Sequence, residues 1–117
     1  MKFINLSGKR LLTHQWLIIA GDMKIKNILE PTDEIKELIE CRDQLPKHTY
    51  NGKAEKIIEL FDIEDGDYVH INGIDLNLVL AIHNNNPKIN LIYSKMEKKK
   101  EDEKYVTNFI CFVNLLY

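Results

Sequence analysis

The stretch Tyr68-Val69-His70-Ile71-Asn72-Gly73-Ile74-Asp75-Leu76-Asn77-Leu78-Val79-Leu80-Ala81-Ile82-His83-Asn84 decides the fold, because it reads in two ways. Tyr68 to Ile71 is a strand. Asn72-Gly73 between apolar runs is the strongest short hairpin signal, and Ile74, Leu76, Leu78, Leu80 and Ile82 alternate as a second hairpin arm would. Leu76, Val79, Leu80 and His83 fit one face of a helix equally well. The run Asn84-Asn85-Asn86 before Pro87 is a natural helix terminus. These residues leave both readings open.

Outward from this segment the chain alternates more plainly. Lys2 to Leu6 reads as an opening strand that meets the polar turn Ser7-Gly8-Lys9-Arg10. Thr13 is placed to cap a helix carrying Trp16, Leu17 and Ala20 at helical spacing, with Gly21 as its stop. Lys24 to Leu29 is a weak strand closed by Pro31. Thr32 opens a second helix with Asp33, Glu34 and Glu37 at its positive end and Ile35, Leu38 and Ile39 as its apolar stripe. Arg42 to Gly52 reads as a loop, and Lys53 to Phe61 as a helix buried through Ala54, Ile57, Ile58 and Phe61. Lys88 to Tyr93 is a strand, the charged run Lys95 to Lys104 a solvated loop or hairpin tip, and Tyr105 to Tyr117 a closing strand. Strands interleaved with helices predict an α/β fold, a mostly parallel sheet with a C-terminal antiparallel hairpin.

The 117 residues suit one domain, 1–117, with one core. A formal charge of −2 supplies no basic field, which argues against duplex nucleic acid as the main partner, so any anionic ligand needs local donors. Cys41 and Cys111 form no framework and fit a reducing compartment. The N-terminus lacks a signal-peptide pattern, and the apolar run Trp16 to Ala20 is too short for a bilayer. The expectation is a soluble, cytoplasmic protein without membrane contact.

In open α/β sheets, ligands gather beyond the carboxyl ends of the strands. Three segments would meet there. Asn5 to Arg10 offers backbone amides near Gly8, the Ser7 hydroxyl and the charges of Lys9 and Arg10. Asn72-Gly73-Ile74-Asp75 offers a glycine against which a ligand can lie, and Tyr93-Ser94-Lys95 offers a hydroxyl and an ammonium. The four histidines show no metal-ligand spacing, and no cofactor motif is present. His14, beside the basic turn, is the one histidine considered for proton transfer. A Ser/His/Asp arrangement has no G-x-S-x-G elbow to support it.

Ordered features over nearly the whole chain resemble the small stand-alone CRISPR-associated Rossmann-fold (CARF) proteins of type III CRISPR systems. Met1 to Ser7, followed by a leucine and threonine leading a helix with Gln15, resembles their opening strand and "LT…Q" helix. Gly66-Asp67-Tyr68-Val69-His70-Ile71-Asn72-Gly73 resembles their "GDYVLIQG" strand and turn, and Leu91-Ile92-Tyr93-Ser94 their "PIYAT" strand. The resemblance implies a Rossmann-like CARF domain with helices on both faces, in which Ile74 to Asn84 is a helix. It implies a homodimer that binds a cyclic oligoadenylate, usually cyclic tetra-adenylate. Ring opening would follow by metal-independent attack of a ribose 2′-hydroxyl on its neighbouring phosphodiester, which would down-regulate the immune signal. It also implies that Ser7, Lys9 or Arg10 hold phosphate, that Asn72 and Gly73 line the floor, and that Ser94 with Lys95 closes the site. Ser7, Lys95 and His14 are the catalytic candidates; Asn5, Gly8, Lys9, Arg10, Asn72, Gly73, Asp75, Tyr93 and Ser94 are the ligand-binding ones. The chain departs from the pattern at Gly8, where relatives carry histidine, at Ser94-Lys95-Met96, which replaces a threonine-rich end and arginine, and in a closing strand without basic residues. Two alternatives stand beside this reading: a non-catalytic sponge of the same fold, and an unrelated α/β interaction module of a mobile element.

Overall fold

The structure, a computed structural model, describes residues 1–40 and 46–115. Cys41, the start of the expected loop after it, and the last two residues of the expected closing strand lie outside the described residues. The elements run β1 (Lys2–Asn5), α1 (Thr13–Leu17) continuing into a π-helical turn (Ile18–Asp22), β2 (Asn27–Leu29), α2 (Asp33–Ile39), α3 (Lys47–Phe61), β3 (Tyr68–His70), α4 (Leu76–Asn85), β4 (Asn90–Glu101) and β5 (Lys104–Asn114). They build an α/β fold around a five-stranded sheet of order β2-β1-β3-β4-β5. The first four strands are parallel and β5 is antiparallel to β4.

The ambiguous segment is a helix. Strand β3 is hydrogen-bonded to β1 on one side and β4 on the other, so it has no free edge for a hairpin partner. Asp75 caps α4 by accepting from the Asn77 N–H at 2.8 Å. Gly73, at φ 76°, takes the left-handed turn that the strand end requires. The buried stripe is Leu78, Val79, Ala81 and Ile82, whereas Leu76 and Leu80 are 64% and 49% exposed. Two of the five residues of the alternating set that imitates a strand therefore face outward, and the helix face expected through Leu76 and Leu80 is rotated toward Leu78 and Ile82.

Alternation along the strands divides the core between the two faces of the sheet. Ile4, Leu6, Val69, Ile71 and Leu91 pack with Ile35 of α2, Tyr50, Ala54 and Ile57 of α3, and the buried stripe of α4. Phe3 and Ile92 pack with Leu11, Ile19 and Ile25 on the α1 side. At the far end of the strands, Asp67 fixes β1 to the start of β3. It accepts from the Lys2 N–H at 2.8 Å, pairs with the Lys2 Nζ at 3.2 Å, and takes the Glu64 N–H at 2.8 Å.

Three boundaries differ from the sequence reading. Helix α3 starts at Lys47, not Lys53, because Tyr50 extends the Ala54–Ile57 stripe by one more turn. Pro46 precedes the helix at φ −60°, where its missing N–H costs nothing. Second, α1 does not stop at Gly21, since the π-helical turn carries on to Asp22. The third difference is that the charged run Lys95 to Lys104 is mostly strand. Residues 95–108 are exposed on both faces, so no apolar alternation marks them, yet each backbone is paired, as in Lys98 with Thr107 and Lys99 with Val106. The connection is the two-residue turn Asp102-Glu103, with φ 46° and 65°.

Candidate functional site

Strand order places a change of direction between β1 and β3. The chain leaves β1 toward β2 over one face of the sheet, and α4 joins β3 to β4 over the other. Loops after β1 and β3 therefore diverge, and a crevice opens between them. The two loops stay close at its floor: a Cβ added to Gly73 would stand 3.8 Å from the Ser7 carbonyl oxygen. A half-open cleft of ≈ 440 Å³ occupies this place. Ser7, Lys9 and Arg10 line it from the β1 loop, Leu12 and Gln15 from α1, and His70, Asn72 and Gly73 from the end of β3. Ser94, Met96 and Thr107 complete it from the hairpin. Among the described residues its lining carries two cations and no carboxylate, although the whole chain is acidic. Lys9 and Arg10, with Gly8, also border a second cleft of ≈ 470 Å³ toward Glu30, Thr32 and Lys36.

Beneath the cleft runs a hydrogen-bonded chain of buried polar side chains. Asn5, Gln15, His70 and Ser94 are four of the five buried polar or charged residues among those described. Asn5 is paired in register with His70, which is paired with Ile92 of β4. Ser94 lies two residues beyond Ile92, on the same side of the pleat. The Asn5 Oδ1 accepts the Ser7 N–H at 3.1 Å and the Ser7 hydroxyl at 2.7 Å. Its Nδ2 donates to the Lys9 carbonyl and to Glu30 Oε2, each at 2.7 Å. The backbone N–H of Ser7 can only donate, so the amide has one orientation. His70 Nδ1, 2.9 Å from that same Oδ1, must then carry a proton. His70 Nε2 is left as an acceptor for the Ser94 hydroxyl at 2.7 Å. The Gln15 Nε2 donates to Ser94 Oγ at 2.9 Å, and Gln15 Oε1 takes the Leu12 N–H at 2.7 Å.

Burial pushes the His70 pKa down from 6.5 to about 4, the polar side chain of Asn72 opposing this only in part. The imidazole is neutral at neutral pH. Asn72 clamps the Ser94 backbone from both sides, its Oδ1 accepting the N–H at 2.6 Å and its Nδ2 donating to the carbonyl at 3.1 Å. Ser94 is thus fixed by backbone and side chain together.

Of the residues singled out in the sequence, Ser7, Lys9, Arg10, Asn72, Gly73 and Ser94 meet at this cleft. Asn5 is fully buried and organises the loop from below. Gly8 borders the neighbouring cleft. The remaining four lie elsewhere. Asp75 is engaged as the α4 cap and with the Tyr50 hydroxyl at 3.2 Å. Tyr93 and Lys95 flank Ser94 on an alternating strand and are exposed outside the lining. His14 is exposed, its ring edge-on to Phe109 at 5.5 Å between centroids. Two residues at the heart of the network, His70 and Gln15, were not among those candidates. The usable signal for His70 was an imidazole inside an otherwise apolar strand, in register with an equally buried Asn5.

Comparison with protein-family models, curated proteins and solved structures finds no match for this chain. Among the described residues no group of three or more His, Cys, Asp or Glu side chains could hold a metal ion. None of the helices among the described residues is long and apolar enough to cross a membrane.

Proposed function

We propose that this chain is a Rossmann-like protein of the CARF kind that binds a cyclic oligoadenylate, cyclic tetra-adenylate first of all, and opens the ring. The observation that carries the reading is the cleft beyond the carboxyl ends of β1 and β3 and against the β4–β5 hairpin, lined among the described residues by Lys9, Arg10 and neutral donors and by no carboxylate. An anionic ligand with ribose and base edges to satisfy matches such a lining better than a cationic or purely apolar one. Ser7 and Asn72 are the hydrogen-bonding partners for phosphate and sugar, and Gly73 leaves room against the backbone.

A ring of four nucleotides carries four phosphodiester charges, whereas one cleft contributes two cations. Two copies related by a two-fold axis would balance the charge, so the reading includes a homodimer closed over the ligand. Ring opening needs the 2′-hydroxyl held in line with its phosphodiester and the phosphorane charge stabilised, and neither requirement calls for a metal. Isothermal titration with cyclic tetra-adenylate, followed by chromatography of the products, tests both parts. Saturable binding with linear products bearing a 2′,3′-cyclic phosphate is the expected result, and no binding contradicts it. The sponge reading has one observation in its favour: Lys95 and His14, two of the three catalytic candidates, lie outside the lining. Tight binding of an unchanged ring would establish it.

A further inference from the structure

We infer that Ser94 is a catalytic residue, its hydroxyl receiving the proton of an attacking ligand hydroxyl and passing its own to His70. The inference rests on the cyclic-oligoadenylate reading and supplies a proton acceptor that neither Lys95 nor His14 provides from where it stands.

The direction of the hydrogen-bonded chain carries the argument. Ser94 Oγ has one proton and two lone pairs. Its proton goes to His70 Nε2 at 2.7 Å, because Nδ1 is committed as a donor to Asn5 Oδ1. One lone pair takes the Gln15 N–H at 2.9 Å. One lone pair remains, and Ser94 borders the cleft. Ser94 lines the same cleft as Lys9 and Arg10, where a phosphodiester would be held, so a ribose hydroxyl of the same ligand would have a place to donate. The relay hydroxyl, base and orienting group then stand in hydrogen-bonded order, Ser94 to His70 to Asn5, without the strained elbow that a covalent serine nucleophile requires. The Ser94 N–H is held by Asn72 and so does not serve as an oxyanion donor. The arrangement therefore suits proton relay.

The step balances as follows. The O2′–H bond breaks as the O2′–P bond forms, and that proton moves to Ser94 Oγ while the Ser94 proton moves to His70 Nε2. The P–O5′ bond breaks, and the departing oxygen takes a proton from solvent water. His70 returns its extra proton to solvent through Ser94, leaving a 2′,3′-cyclic phosphate and a 5′-hydroxyl. The groups around the imidazole are Asn5 on β1, Ser94 on β4, Asn72 beyond β3 and the rings of Phe3 and Phe112, none of them charged. Charged groups in this region are Lys9 and Arg10 in the cleft lining and Glu30, which binds the Asn5 side chain.

The test uses the full chain with labelled cyclic tetra-adenylate, measuring affinity and single-turnover cleavage separately, with thermal melts as a check of folding. Ser94→Ala is expected to lower cleavage by roughly 100-fold or more while losing no more than about tenfold in affinity. His70→Gln, which can still accept from the Ser94 hydroxyl but cannot store a proton, is expected to do the same. In the wild-type protein, which needs no substitution, the rate should be flat at neutral pH and fall below about pH 5 as His70 fills. Cleavage by Ser94→Ala at the wild-type rate would overturn the inference and leave the ligand reading standing. So would a wild-type protein that holds the ring intact. Failure of the wild-type protein to bind the ring would remove the ligand reading itself.

Discussion

His70 is neutral because three uncharged polar side chains and two rings enclose it, and that neutrality links its protonation to folding. Its pKa lies below the unfolded value, at about 4 against 6.5. The stabilisation is therefore complete above pH 6.5 and is lost as the pH falls toward 4, because only the unfolded chain takes up the proton readily. Urea denaturation should show about 2 kcal/mol of this loss between pH 7 and pH 5. His70→Gln should lack that component, and parallel loss in the two proteins would contradict the buried, neutral imidazole. Asn5 is the companion case. Asn5→Ala leaves the His70 Nδ1–H and the Ser7 N–H without their acceptor, so roughly 3 kcal/mol of stability should go, measured by the same denaturation. At this scale the sequence was only partly legible. Ser7, Lys9, Arg10, Asn72 and Ser94 belong to turn and strand-end positions that composition can flag. The Asn5–His70–Ser94 alignment depends on strand register, which no local pattern in this chain specifies.

Helix α4 contradicts its own local signal, and the β4–β5 hairpin extends further than its local signal shows. Asn72-Gly73 is a hairpin motif, yet β3 is paired on both edges, so tertiary context assigns the turn to a helix start instead. Asp75→Ala should cost about 1 kcal/mol through loss of the cap on Asn77, with some further loss from the Tyr50 hydroxyl, read from thermal or urea unfolding. The real hairpin lies where the sequence carries only charge. Asp102 and Glu103 both adopt positive φ, a conformation in which asparagine and glycine sit with less strain. Replacing the pair by Asn-Gly should stabilise the protein by about 0.5–1 kcal/mol, visible as a raised Tm. A lowered Tm would mean the turn is not formed as described. The antiparallel hairpin was expected, but the length of its strands was illegible from periodicity because residues 95–108 bury neither face, and backbone pairing leaves no trace in hydropathy.

Across the whole molecule, the sign of the chain's charge and the sign of its cleft differ. The chain is −2 overall, while the cleft presents Lys9 and Arg10 without a neighbouring carboxylate in its lining. Binding of an anionic ligand should therefore weaken with added salt, and Lys9→Ala with Arg10→Ala should weaken it further and flatten that dependence. The general architecture was legible from interleaved strands and helices. The strand order, and with it the crevice between β1 and β3, follows from which edges pair over long separations. The most direct measurement is a ¹⁵N chemical-shift titration of the full chain with cyclic tetra-adenylate. Saturable changes centred on Ser7 to Arg10, Asn72, Gly73 and Ser94 are expected. No saturable change, or changes centred on the α3–α4 groove around Lys47, Asn77 and Asn84, would contradict it.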